Sequence, residues 1–216
     1  MDDLFDSLPV DDSAPITIGP GAVLLPGFAR ADATELADVV QAVIAEAPLR
    51  HLVTPGGYTM SVAMTNCGRL GWVSDRQGYR YAAIDPLSGK PWPEMPAALQ
   101  ALARRAAEAA GYPGFDPDAC LINRYIPGAR MSLHQDKDER DVAAPIVSLS
   151  LGLPATFQFG GPQRSDRPQR YRLVHGDVAV WGGPSRFFFH GVTPLPAGDH
   201  SLLGEQRLNV TFRKVT

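Results

Sequence analysis

Cysteine is scarce in this chain: Cys67 and Cys120 are the only two in 216 residues, far apart and in no CxxC or CxxxC arrangement. That leaves a disulfide framework or a zinc knuckle without support, so both are read as buried, reduced thiols. Long apolar runs are missing too. No stretch approaches the roughly 20 apolar residues that cross a bilayer. The opening MDDLFDSLPVDDSAP has neither the positive start nor the apolar stretch of a secretory signal. A cytoplasmic protein with no membrane partner is the expectation. Positive charge is also in deficit. Lys and Arg number 20 against 23 Asp and Glu, for a net charge of −3, so the overall field does not mark a nucleic-acid binder. There is one local exception. Arg164, Arg167, Arg170 and Arg172 share the stretch 164–172 with a single acid, Asp166, and both a solvated loop and a phosphate-contacting loop fit it.

What is present is one domain's worth of ordinary globular sequence. Apolar residues at 44% and charged residues at 20% exclude a wholly disordered or collagen-like chain. Residues 1–20 mix Asp, Pro, Ser and Gly and read as a flexible leader. From Asp32 to Ala47, Leu36, Val39, Val40, Val43 and Ile44 recur at threes and fours, which predicts a helix closed by Pro48. A second helix is predicted from about Pro96 to Ala110, with Leu99, Leu102, Ala103 and Ala106 inward and Gly111 as its left-handed stop. The segment between them, about 51–92, is rich in Gly, Thr, Tyr and Trp and reads as short strands and loops able to form a lid.

After Gly111 short β-rich runs follow one another: Cys120–Tyr125, Ile146–Leu151, Thr156–Phe159, Tyr171–Leu173, Asp177–Trp181, Phe187–Val192 and Arg207–Arg213. With no helices alternating between them, they predict a sandwich or jelly roll rather than a parallel α/β sheet, with its core over about 115–213. The fold class is therefore mainly β with flanking helices.

Within this region His134-Gln-Asp136 places an imidazole and a carboxylate two residues apart on an extended segment, hence on one face. Alone, the pattern is common. His190 follows in Phe187-Phe-Phe-His190-Gly191, where three aromatics mark a buried strand, and a satisfied core histidine is the alternative reading. Two imidazoles and one carboxylate make the facial triad of non-haem Fe(II) oxygenases, which leaves positions open for a cosubstrate and O₂. Zinc is the rival metal, although closed zinc sites prefer thiolates and this region has none.

Arg207-Leu-Asn-Val-Thr-Phe-Arg213 alternates completely. Leu208, Val210 and Phe212 face one way, and Arg207, Asn209, Thr211 and Arg213 the other. Arginine forks match carboxylates, so a small diacid is the ligand this wall suggests; an exposed edge strand is the alternative. The two arginines are about 20 Å apart along an ideal strand and meet one ligand only by leaning together. Asn123 and Tyr125 share a face and offer a second polar wall, for the same carboxylates or for core hydrogen bonds.

These residues, with Thr54–Cys67, Leu133–Asp138 and Phe157–Gly161, closely resemble the AlkB family of alkylation-repair dioxygenases over about residues 20–213. The resemblance implies a double-stranded β-helix, or jelly-roll, core and a nucleotide-recognition lid. It implies Fe(II) on His134, Asp136 and His190, and 2-oxoglutarate on Asn123, Tyr125, Arg207, Asn209 and Arg213, with O₂ as the second cosubstrate. It further implies that Met64, Trp72, Tyr79 and Tyr81 belong to the lid, that Asp138 lies near the exocyclic edge of the base, and that Arg164 contacts the substrate strand. The reaction implied is oxidative demethylation of 1-methyladenine and 3-methylcytosine in DNA, and also RNA, by a monomer. Two other readings remain at this point: a dioxygenase of the same fold acting on protein or small molecules, and a cupin-like binding module with no enzymatic activity.

Overall fold

The computed structural model describes residues 14–216. In chain order its elements begin with β1 (Ile16–Gly19), β2 (Ala22–Leu25), α1 (Ala33–Glu46) and β3 (Arg50–Val53). Next come β4 (Thr59–Gly68), β5 (Gly71–Asp75), β6 (Gly78–Ala82), α2 (Ala97–Ala109) and β7 (Ala119–Tyr125). They continue with β8 (Met131–His134), β9 (Ile146–Gly152), β10 (Ala155–Phe159) and β11 (Gln169–Leu173), and end with β12 (Val178–Trp181), β13 (His190–Val192) and β14 (Arg207–Arg213). An eight-stranded sheet runs β1-β2-β12-β9-β14-β7-β4-β3, a four-stranded sheet runs β11-β10-β13-β8, and β5 and β6 form a separate hairpin. The pairing is antiparallel throughout the named strands. The fold is a jelly roll.

Both helices lie within one residue of their predicted ends, because the buried stripes Leu36-Val40-Val43 and Leu99-Leu102-Ala106 leave no other face to bury. Gly111 stops α2 at φ +88°, as its sequence position suggests. The two helices cover the outer face of the large sheet, meeting Leu208, Val210 and Phe212 of β14 together with Ile122, Val147 and Leu149. The opposite face of the same sheet meets the small sheet through Tyr125, Ile146 and Trp181 against Phe157, Phe159 and Leu173. Strand β14 is thus buried on both faces. Its apolar side faces the helices and its polar side faces the space between the sheets, so it is a central strand and not an exposed edge.

Three expectations change. Of the leader, residues 1–13 lie outside the described residues, but Ile16–Gly19 is strand β1, paired with β2 at the edge of the large sheet. The span 51–92, expected as short strands and loops able to form a lid, divides between two parts of the fold. Strand β4 is buried over most of its length and pairs with β7 inside the large sheet, leaving the β5–β6 hairpin as the part that stands apart. Finally, only His190–Val192 of the predicted Phe187–Val192 strand is extended. A 3₁₀ turn at Gly183–Ser185 precedes it, and Phe187 is 39% exposed. The cause is Arg186, whose guanidinium donates to the Ala144 and Asp136 carbonyls and anchors a turn that runs through Phe187. Cys67 and Cys120 face each other across β4 and β7 as free, buried thiols.

Candidate active site

The three residues of the suggested triad converge because two short strands of the small sheet pair. His190 on β13 is the register partner of His134 on β8, and Asp136 lies just past the end of β8. His134 Nε2 is 3.6 Å from Asp136 Oδ1, and His190 Nε2 is 3.8 Å from Asp136 Oδ2. One donor atom from each residue fits within 4.8 Å of the others. Both imidazoles direct Nδ1 at a backbone carbonyl, His134 at Ser132 (2.9 Å) and His190 at Phe188 (3.0 Å). Donation from Nδ1–H leaves the Nε2 lone pair facing the shared point, the tautomer a metal requires. Burial, then the neighbouring His134, lowers the pKa of His190 to about 4, so its ring is neutral near pH 7. Burial would raise the Asp136 carboxyl, but Arg213, His190 and His134 outweigh it and hold it well below the usual range. The site thus presents two imidazole nitrogens and one carboxylate, with the His134 side chain 37% exposed toward the cleft.

Behind the triad a cavity opens between the sheets, lined by Asn123 and Tyr125 of β7, Ser148 of β9, and Arg207, Asn209 and Arg213 of β14. The register places Tyr125 beside Arg207 and Asn123 beside Asn209. The two arginines, which share a strand face, part company here. Arg213 donates to Asp136 Oδ2 from Nε (3.2 Å) and Nη2 (2.7 Å). Arg207 is 1% exposed and lies over the Tyr125 ring at 5.8 Å, while its Nε and Nη1 have no hydrogen-bond partner.

In front of the triad lies a cleft of about 470 Å³ lined by Met64, Trp72, Tyr79, Tyr81, Asp138 and Arg164, among others. Trp72 and Tyr79 stack at 5.5 Å with their planes 14° apart, and Trp72 Nε1 donates to Asp138 Oδ2 at 2.9 Å. The Arg164 guanidinium lies 5.2 Å over Phe189 at the cleft wall. The triad, Asn123, Tyr125, Arg207, Asn209, Arg213, Met64, Trp72, Tyr79, Tyr81, Asp138 and Arg164 thus fall at the metal point, in the cavity behind it or in the cleft in front, whereas Arg167, Arg170 and Arg172 line neither.

Residues 21–213 match the model of the 2OG-Fe(II) oxygenase superfamily. The chain is 61% identical over 197 residues to the alpha-ketoglutarate-dependent dioxygenase AlkB of Salmonella typhimurium and 60% identical over 197 residues to that of Escherichia coli, covering 91% of this chain and of each relative. It belongs to the AlkB family. The solved structure of OsALKBH1 superimposes with a TM-score of 0.80 at 28% identity, covering 93% of this chain and all of that one.

An AlkB-family chain is an Fe(II)- and 2-oxoglutarate-dependent dioxygenase, and the donor set fits that chemistry. Two imidazole nitrogens and a carboxylate suit iron and leave room for further ligands. The unpartnered Arg207 atoms and the unpartnered Asn123 Oδ1 mark the cavity as built for a polar guest. A buried guanidinium without an anion is costly, and a carboxylate is the chemistry that would satisfy it.

Sequence reasoning missed Ser148, Glu139 and Arg186. Ser148 had a signal, being with Ser150 one of two polar residues in the otherwise apolar run of β9; its hydroxyl accepts from Asn209 Nδ2 at 2.7 Å. Glu139 sits in the charged run Lys137–Arg140, which reads as solvent-facing, and Arg186 in a Pro-Ser-Arg turn. Nothing local shows that they pair with each other at 3.0 Å with both side chains 2% exposed.

Proposed function

We propose that this enzyme removes N-linked methyl groups from damaged nucleobases, 1-methyladenine and 3-methylcytosine, in DNA and also in RNA. The observation that carries the reading is the aromatic cleft in front of the triad. Its Trp72–Tyr79 stack, an exposed acid at Asp138 and a guanidinium at Arg164 are the groups that hold a flat heterocycle on a phosphate-bearing strand. A protein or small-molecule substrate gives no reason for that combination, and a binding module gives none for the triad beside an unpartnered Arg207.

When bound, iron and 2-oxoglutarate supply an oxidation in which O₂ converts 2-oxoglutarate to succinate and CO₂ and the N-methyl group is hydroxylated, to leave as formaldehyde. The chain does the rest. Arg207, with Asn123 and Tyr125 beside it, orients the cosubstrate. Burial raises the Tyr125 phenol to about 12, so it stays a hydrogen-bond donor near neutral pH. The β5–β6 hairpin covers the cleft and excludes water, and Trp72 offers an aromatic face to the extruded base. The base must leave the stack, which costs a few kcal/mol and least for a base that cannot pair. Methylation at N1 of adenine or N3 of cytosine blocks pairing, so damage and ease of extrusion coincide.

Incubating the protein with a single-stranded oligonucleotide carrying 1-methyladenine, together with Fe(II), ascorbate and 2-oxoglutarate, tests the reading by mass. Loss of one methyl that needs every component and vanishes in His134→Ala supports it. Succinate formed while the methyl persists overturns the substrate claim and leaves the cosubstrate chemistry standing.

A further inference from the structure

Glu139 is an acid that neither the metal point nor the cosubstrate cavity accounts for. It is 6% exposed, and a carboxylate at that depth must be paired. Three groups pair it. Arg186 Nη2 donates to Oε2 at 3.0 Å, Tyr81 donates its hydroxyl to Oε1 at 2.5 Å, and Arg213 Nε lies 3.2 Å from Oε1. Arg213 also donates to Asp136 Oδ2. Two hydrogen-bonded contacts joined by one ion pair therefore link Tyr81 through Glu139 and Arg213 to Asp136. One end is a cleft residue on β6, the register partner of Trp72. The other is the carboxylate of the triad.

Arg213 Nε donates to Asp136 Oδ2 and lies in ion-pair range of Glu139 Oε1, at 3.2 Å each. What else Glu139 receives thus decides how strongly it competes for the guanidinium. The hydroxyl of Tyr81 satisfies part of the Glu139 charge; burial pushes that phenol well above its usual range, so it remains a donor. Arg186 is fixed elsewhere by the Ala144 and Asp136 carbonyls, and Tyr81 is the member that belongs to the hairpin.

We propose that Glu139 is a positioning residue that couples the base cleft to the triad: when an entering base takes the Tyr81 hydroxyl, Arg213 shifts toward Glu139 and frees Asp136 Oδ2 to bind the metal more strongly. The inference rests on the reading of the cleft as a nucleobase site, and it gives the protein a means of delaying oxidation until substrate is present. Tyr81→Phe removes only the hydroxyl and mimics the occupied state.

The test uses Co(II)-loaded protein without O₂ and reads the visible Co(II) absorption, which reports the ligand field at the triad. In the wild type, adding 2-oxoglutarate and then a 1-methyladenine oligonucleotide shifts the band. Tyr81→Phe shows the shifted band before any oligonucleotide is added and responds no further. Glu139→Gln, which keeps the shape and weakens the hold on Arg213, loses the response while circular dichroism shows a folded chain. With iron and air, Tyr81→Phe forms more succinate than formaldehyde. Identical Co(II) spectra for wild type and Tyr81→Phe in the absence of nucleic acid overturn the relay whatever occupies the cleft. A wild-type protein that binds no methylated oligonucleotide overturns the functional reading instead, so the two failures are distinguishable.

Discussion

Arg207 is the residue whose surroundings are least complete. Its guanidinium is buried by the fold and left without an anion on two of its nitrogens, and burial lowers its pKa. A group in that state destabilises the protein alone and is rescued by its ligand. Replacing it with methionine, of similar reach and no charge, is therefore expected to leave the thermal stability of the ligand-free protein unchanged or higher. Affinity for 2-oxoglutarate should fall by about 10- to 100-fold, the worth of a charge-assisted hydrogen bond. Calorimetric titration of Mn(II)-loaded protein reads the affinity, and thermal unfolding with and without cosubstrate reads the rest; a variant that still gains stability from 2-oxoglutarate as the wild type does would sink the assignment. Residues of this kind were legible before the fold was known because strand alternation alone groups Arg207, Asn209, Thr211 and Arg213 on one face. The division of labour between the two arginines was not legible. Arg213 is drawn to Asp136 by a loop 77 residues earlier, and no pattern along β14 distinguishes it from Arg207.

Among the elements, helices and central strands declared themselves through period and composition, and what escaped was set by contacts distant in sequence. The β13 boundary moved because Arg186 bonds carbonyls 42 and 50 residues away. Likewise β4 joined the large sheet because its partner β7 lies beyond α2, although its glycine- and tyrosine-rich surroundings suggest a flap. The hairpin that remains free is pinned at its root. Asn66 brackets Trp72, accepting from its backbone N–H and donating to its carbonyl, each at 3.0 Å. Trp92 donates to Ala82 at the other strand. Gly71 lies against that root, and a Cβ there would run into the Trp92 ring. Gly71→Ala is accordingly expected to displace the hairpin, raising KM for a methylated oligonucleotide while 2-oxoglutarate affinity stays within about twofold of the wild type. Leu208→Ala, on the helix-facing side of β14 and fully buried, should act the other way. It should lower stability by about 2–5 kcal/mol in chemical denaturation without altering the ratio of the two affinities.

Charge acts on the molecule as a whole, through pH and through salt. Asp85 is 2% exposed and receives both guanidinium nitrogens of Arg50 at 2.9 and 2.7 Å. Burial would raise its carboxyl, but Arg50, Ser88 and the Leu87 amide outweigh it and hold it at about 2. Because the folded value lies below the unfolded one, its contribution is complete above about pH 4 and is lost as pH falls toward 2. Acid unfolding followed by fluorescence should show Asp85→Asn to be less stable than wild type by about 2 kcal/mol at neutral pH, with the gap closing below pH 3 or so.

Salt reports where the substrate strand lies. The net charge of −3 repels a polyanion at long range, so binding has to come from local positive charge. Arg164, Arg167, Arg170 and Arg172 are all exposed and concentrated on one side of the small sheet, on β11 and the turn before it. Their lone acid, Asp166, is engaged by the Gln163 amide. Each phosphate neutralised by such an arginine releases counterions and steepens the fall of log K with log salt by about 0.7 for a single strand. Removing Arg164, which lines the cleft, should make that slope shallower by about that amount and weaken binding alike for all sequences. Arg104→Gln serves as the control. Arg104 lies on α2, paired with Asp116 behind the large sheet, and its loss should leave the slope unchanged. Equal slopes for Arg164→Gln and wild type would mean that the strand does not pass Arg164, and the path of the nucleic acid would then have to be sought along the β5–β6 hairpin instead.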